Sequence, residues 1–457
     1  MGEGLFTIFH CMDSKNYFFT AFIIFVFSIA AFYAFKTLLP NRIFDEITVI
    51  DDNVAVDSAM VQAITEAQTD SNVVYEEEVK ADTHPLARFF KKLFVLEKTK
   101  KSVVRVAYFG DSMVESDLMV HDLRKNYQDK YSGYGRGFVM LSNVHKPWGA
   151  ARYDYSDQWL TYTYMKRSNP VPVGVSGYVS VPSSKSIVWT HYRQYQDAPP
   201  LARSELFYGR SNNSRAKLTI IADKDTSVIT DLQTDKILNK QPLSESVSKN
   251  LMLRFSGAAG IPFYGVNFAD GDGVYIDNFP MRSSSGIALD TFNEELMNAF
   301  QEELQYDLII LKILGGNIIS PNVTKYGWYA ERMTATINHL RKCFPGADFL
   351  IVSSPDQAKK YGTVMRTNSD LASVLRAQEK FAENSGSGFI NLYQLMGGEG
   401  SMVKWVRAGM ASSDYVHLNY KGAKKAADII FQQMEDEYEE YKKENNLLVE
   451  SNEGEET

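Results

Sequence analysis

At 457 residues the chain exceeds one ordinary domain, so two folded units with flanking segments are expected. Its 48 basic side chains against 56 acidic ones, a formal charge of -8, give no broad basic face, and a nucleic-acid partner is excluded on that ground. Cys11 and Cys343 stand too far apart in the chain to suggest a disulfide framework or a zinc site, and both are expected as free thiols.

Residues 1–15 are expected as a short cytoplasmic N-terminal segment. From Asn16 to Phe35 there are 20 residues without a charge, among them Phe18, Phe19, Phe22, Ile23, Phe25 and Phe27. A helix of that length spans about 30 Å, the thickness of a bilayer's hydrocarbon core, so one transmembrane helix is expected over 16–36. A cleaved signal peptide would have a shorter apolar core and a small-residue exit, which Tyr33-Ala34-Phe35-Lys36 does not offer. Cys11 precedes the apolar run, so there is no lipobox. Lys15 on one side, with Lys36 and Arg42 on the other, gives a weak positive-inside bias that runs against an external body. Residues 37–83 are acidic and poor in apolar periodicity, including Glu76-Glu77-Glu78, and read as a solvated linker; a short surface helix over Val54–Ala67 is the alternative.

Folded structure is expected from 84, where Leu86, Phe89, Phe90, Leu93 and Phe94 recur at helical spacing. Val103–Phe109 then reads as a buried strand, Gly110-Asp111-Ser112-Met113 as a turn, and the stretch to Tyr127 as a helix beginning at Ser112. Between 148 and 272 the texture changes: Gly, Ser, Thr and Tyr abound and short alternating runs recur. Candidate strands are 177–181, 186–191, 204–208, 216–221, 227–229, 250–255 and 263–268, the pattern of an inserted β-sandwich. Its aromatics Tyr153, Tyr155, Trp159, Tyr162, Tyr164 and Trp189 can stack on sugar rings, as in carbohydrate-binding modules, although rings of this kind more often fill a core. Buried strands return at Tyr306–Leu314, Asp348–Pro355 and Gly388–Leu392, separated by helical stretches at Tyr329–Lys342, Ser369–Ala382 and Lys421–Tyr438. Alternating strand and helix implies an α/β domain of three layers around a mainly parallel sheet, split by the insertion into 84–147 and 273–446. Residues 447–457 are an acidic tail.

Three segments carry chemistry. Ser112 leaves a strand at the sheet's carboxyl edge, where open α/β folds bind their ligands; the plainer alternative is a helix cap. In Asp414-Tyr415-Val416-His417 a spacing of three lets the carboxylate reach the imidazole Nδ1–H and leaves Nε2 to accept the serine proton. His121 and His145 are the competing bases. After the strand to Leu314 comes Gly315-Gly316-Asn317, whose amide can donate to a developing oxyanion, or simply cap a turn.

In order, spacing and context these segments resemble the SGNH (GDSL-type) hydrolase superfamily over about 86–433, with the sandwich as an insertion. The likeness is nearest to exported or membrane-anchored enzymes acting on O-acetyl groups of peptidoglycan and other envelope glycans, through Gly110–Asp117, Gly137-Phe138-Val139, Met396-Gly397-Gly398 and Asp414–Leu418. The resemblance implies Ser112 as nucleophile, His417 as general base and then acid, Asp414 as its orienter, and an oxyanion hole from the Ser112 N–H and Asn317. A third oxyanion donor in the family is a glycine N–H; here Ser283 occupies that place, with Gly286 as the fallback.

The implied activity is covalent acyl transfer from an O-acylated, in particular O-acetylated, envelope glycan, with no metal or cofactor. Release to water makes an esterase. Release to a sugar makes an O-acetyltransferase, which would work with a multi-span membrane protein that passes acyl groups across the bilayer. A catalytically silent glycan-binding scaffold is a further alternative. The expected location is a bacterial inner membrane, single-pass, with the catalytic domain on the periplasmic side.

Overall fold

A computed structural model describes residues 84–142, 152–183, 187–194, 200–213, 215–312, 318–319 and 325–447. The expected span at 16–36, the linker at 37–83 and residues 448–457 of the tail lie outside the described residues. Among the described residues no helix is long and apolar enough to cross a membrane.

Strands β1 (Val103–Gly110), β13 (Gly273–Pro280), β14 (Leu308–Lys312), β15 (Asp348–Val352) and β18 (Gly388–Ile390) form one sheet. Its order is β13-β1-β14-β15-β18, with every neighbouring pair parallel. Successive side chains of a strand face opposite ways, so each strand serves two cores. Ala107 and Phe109 of β1 pack in a cluster with helices α3 (Glu294–Leu304), α4 (Gly327–Cys343) and α5 (Leu371–Asn384). Val104, Val106 and Tyr108 pack in the other, with α1 (Ala87–Thr99), α2 (Val120–Tyr131), α6 (Leu392–Leu395), α7 (Ser401–Arg407) and α8 (Tyr420–Glu444). Each fully buried side chain of the size of Phe109 contributes about 1.5–3 kcal/mol, which is why the strands read as continuous apolar runs.

The edge strand β13 is not among the strands expected from the sequence. Asp277 and Asn278 interrupt its apolar pattern, and only the fold shows their use. Arg105 donates to both Asp277 oxygens at 2.9 and 3.1 Å and to Asn267 Oδ1 at 2.7 Å, and the Tyr306 hydroxyl donates to Asp277 at 2.6 Å. Phe138 N–H also donates to Asp277, at 3.0 Å. Buried charge is tolerated here because both carboxylate oxygens face donors. The approach is so close that a Cβ on Gly137 would sit 1.7 Å from Asp277 Oδ1, which accounts for the glycine in Gly137-Phe138-Val139.

The β-rich region contains two antiparallel sheets. One holds β10 (Leu238–Ser244), β7 (Ser204–Gly209), β12 (Phe263–Ala269), β5 (Tyr178–Pro182) and β4 (Trp159–Thr163) in that order, with β2 (Gly135–Val139) paired to β12. The other runs β3 (Arg152–Tyr155), β6 (Val188–Arg193), β11 (Asn250–Ser256), β8 (Lys217–Ala222), β9 (Asp225–Ile229). Leu206, Phe263 and Phe268 of the first pack against Tyr192, Leu251 and Phe255 of the second. The sandwich also shares a core with the α/β body, since Tyr164, Tyr178, Phe207 and Tyr264 belong to the same cluster as Phe109 and Phe300. Of the aromatics proposed for sugar stacking, Tyr153, Trp159 and Tyr164 are buried, while Tyr155, Tyr162 and Trp189 are partly exposed.

Candidate active site

The site stands on a row of strand ends. Gly110 pairs in register with Pro280 on one side and Lys312 on the other, so β13, β1 and β14 finish together. Gly110 is required by close approach, because a Cβ there would lie 2.3 Å from the Val114 side chain. The expected helix from Ser112 does not form. Ser112–Asp117 is instead a 3-10 turn, and α2 begins only at Val120. Asp111, not Ser112, caps the turn, accepting from Met113 N–H at 2.9 Å.

The break follows from side chains that compete for the backbone. Asn278 donates to Val114 O at 2.8 Å and to Asp117 at 3.2 Å, while Arg124 forks onto both Asp117 oxygens at 2.9 and 3.0 Å. Ser116, Asp117 and Met119 take positive φ values of 62, 62 and 63°, conformations that cost energy in non-glycine residues and persist only where the surroundings impose them. Burial opposes ionisation of Asp117, but the Arg124 guanidinium outweighs it and holds the carboxyl below its usual range.

Across 305 positions of chain, Ser112 Oγ lies 2.9 Å from His417 Nε2. His417 Nδ1 lies 2.8 Å from Asp414 Oδ2, and Asp414 Oδ1 accepts from the N–H groups of Val416 and His417, each at 2.9 Å. With the Nδ1 proton directed at the carboxylate, Nε2 is the acceptor facing the serine hydroxyl. Burial raises the Asp414 carboxyl, yet the two backbone donors and the imidazole prevail and hold it below the ordinary carboxylate value. Both Asp414 and His417 are about half exposed, so the site opens to solvent. The loop is fixed at both ends: Ser412 N–H donates to His417 O at 2.8 Å, Ala358 N–H donates to Tyr415 O at 3.0 Å, and Asn419 caps α8. Ala358 begins a hairpin of β16 (Ala358–Tyr361) and β17 (Val364–Thr367).

The two readings of the third oxyanion donor separate. Ser283 has φ 59°, the left-handed conformation that a glycine would take most easily. Gly286 N–H is already engaged, donating to Ser284 Oγ at 3.0 Å, which leaves Ser283 as the candidate of the two. The Tyr164 hydroxyl donates to Arg282 O at 3.0 Å, so the sandwich braces this loop. Asn317 and His145 lie outside the described residues. His121 sits on α2 beside Asp117, 3.9 Å away, rather than with Ser112.

The sequence reading missed Asn278, Arg124 and Lys312. Lys312 alone carried a signal, as a charge within an apolar strand. Its Nζ donates to Asp111 at 3.2 and 3.4 Å, and both side chains are buried.

No protein-family model matches the chain, and no curated protein matches it. Among solved structures, a peptidoglycan O-acetylesterase aligns with TM-score 0.64 and 21% identity, over 79% of this chain and 98% of its own. The chain has the SGNH-hydrolase fold. A Bacillus subtilis protein (TM-score 0.31, 14% identity, 67% of this chain, 98% of its own) and a family two carbohydrate esterase from Cellvibrio japonicus (0.25, 10%, 63% and 99%) also align. In the SGNH-hydrolase fold observed here, the 3-10 turn and the loop at 414–417 are what join serine to imidazole.

Proposed function

We propose that the protein is a serine esterase that removes O-acyl groups, O-acetyl in particular, from a cell-envelope glycan such as peptidoglycan. The observation that carries this reading is the continuous hydrogen-bonded line from Ser112 Oγ through His417 to Asp414. In the reaction the Ser112 hydroxyl adds to the ester carbonyl as its proton passes to His417 Nε2. Asp414 stabilises the imidazolium, and the backbone N–H of Ser112, with Asn317 and Ser283, receives the oxyanion. Collapse expels the sugar hydroxyl with the proton from His417. Water, deprotonated by the same nitrogen, then releases acetate and restores Ser112.

A polymeric, polar substrate is favoured by the half-exposed triad and the adjoining sandwich, where Tyr155, Tyr162 and Trp189 are partly exposed. The resemblance to an O-acetylesterase supports the acetyl group. The uncharged stretch at 16–35 supports attachment to a membrane, and the resemblance to enzymes of envelope glycans supports a body on the periplasmic side. Fluorophosphonate labelling tests the reading: wild type should label rapidly and Ser112→Ala not at all. Equal labelling of the two proteins would refute it.

A further inference from the structure

Lys312 is buried at the end of β14, in register with Gly110, and its ammonium pairs with Asp111, the residue before the proposed nucleophile. The pair is tied again through the backbone, since Asp111 N–H donates to Lys312 O at 3.2 Å. A buried carboxylate one residue from Ser112 would oppose negative charge forming at the Ser112 N–H unless a cation offsets it, because Coulomb effects are strong where water is excluded. Among the described residues, the other groups around the turn are poorly suited to that task. Tyr108 of β1 is held neutral, its phenol pushed up first by burial and then by the Asp111 charge. Glu115 is acidic, and Arg282 lies 3.5 Å from Glu115. His417 is neutral when it accepts the serine proton.

We infer that Lys312 is a positioning residue for the nucleophile, whose ammonium keeps the Gly110–Met113 turn electrically neutral beside the Ser112 N–H. The inference rests on the esterase reading and adds a residue to it. Lys312 does not touch the ester; it acts through Asp111, fixing the turn and cancelling the charge that would repel an oxyanion.

The test uses the full-length chain with 4-nitrophenyl acetate, measuring kcat and KM for wild type, Ser112→Ala, Lys312→Met and the double variant Asp111→Asn/Lys312→Met. Lys312→Met should lower kcat on the order of 10- to 100-fold with little change in KM. The double variant exchanges the ion pair for neutral side chains of similar size and keeps an oxygen to cap Met113. It should recover about tenfold in kcat. If Lys312→Met does not fold, the double variant decides alone: activity within about tenfold of wild type upholds the inference, and a deeper loss overturns it. A Lys312→Met enzyme with wild-type kcat overturns it, as does a double variant no better than the single. Should wild type hydrolyse no faster than Ser112→Ala, the esterase reading fails first and this inference with it; an active wild type matched by Lys312→Met removes the inference alone.

Discussion

Exchanging Asp414 for asparagine should separate the chemistry of the triad from the folding of its loop. The carboxylate accepts three hydrogen bonds, two from backbone N–H groups on Oδ1 and one from His417 Nδ1 on Oδ2. The substituted amide would keep its oxygen toward the two backbone donors, because the flipped orientation would set donors against donors and forfeit two bonds worth about 1 kcal/mol each. Its NH2 group then donates to Nδ1 and drives the ring proton to Nε2, where it blocks acceptance from Ser112. A buried triad loses ~10^4 in kcat from the equivalent exchange. Asp414 and His417 are half exposed, so water competes for the ring, and a loss of ~10^2–10^3, about 2.7–4 kcal/mol of transition-state stabilisation, is expected here. Ester hydrolysis would measure the loss and thermal melting the fold, with stability changed by less than about 1 kcal/mol. Asp414→Asn protein that keeps about a third of wild-type kcat, or that melts several degrees lower with its activity loss explained by unfolding, refutes the reasoning.

Arg124→Met should leave Asp117 buried without its guanidinium partner, costing about 3–5 kcal/mol and loosening the 112–117 turn. The pH dependence carries a sign. In wild type the depressed Asp117 carboxyl adds stability that is fully present above its unfolded value near ~3.9 and is lost as pH falls through the depressed one. Melting temperatures of Arg124→Met between about pH 2 and 5 should therefore rise less steeply with pH than those of wild type; parallel curves would contradict the pairing. Gly422→Ala places a Cβ 1.9 Å from Met410 O, a backbone atom that cannot swing aside. It should destabilise the fold by about 1–3 kcal/mol and, by displacing the loop that carries His417, slow fluorophosphonate labelling of Ser112 by more than the stability loss explains. A variant with wild-type melting and labelling would show that α8 does not set the loop.

Many of the element types and the pairing of Asp414 with His417 were legible in the chain alone. Apolar runs such as Leu308–Leu311 declare buried strands because a central parallel strand is covered on both faces, and Asp414-x-x-His417 declares a carboxylate–imidazole pair because three residues of turn bring the groups together. What the chain could not disclose is long-range. Strand β13 hides behind Asp277 and Asn278, whose partners Arg105, Tyr306 and the 112–117 turn lie far away in sequence. The helix expected at Ser112 has adequate local propensity and is overridden by Asn278 of β13 and Arg124 of α2, which claim its carbonyl and carboxylate groups. Lys312 looks like a blemish in an apolar run until β1 lies beside it and Asp111 meets its charge. Local periodicity records which face of an element is buried; the identity of the group on the other side of that face is set by tertiary contacts, and only folding supplies them.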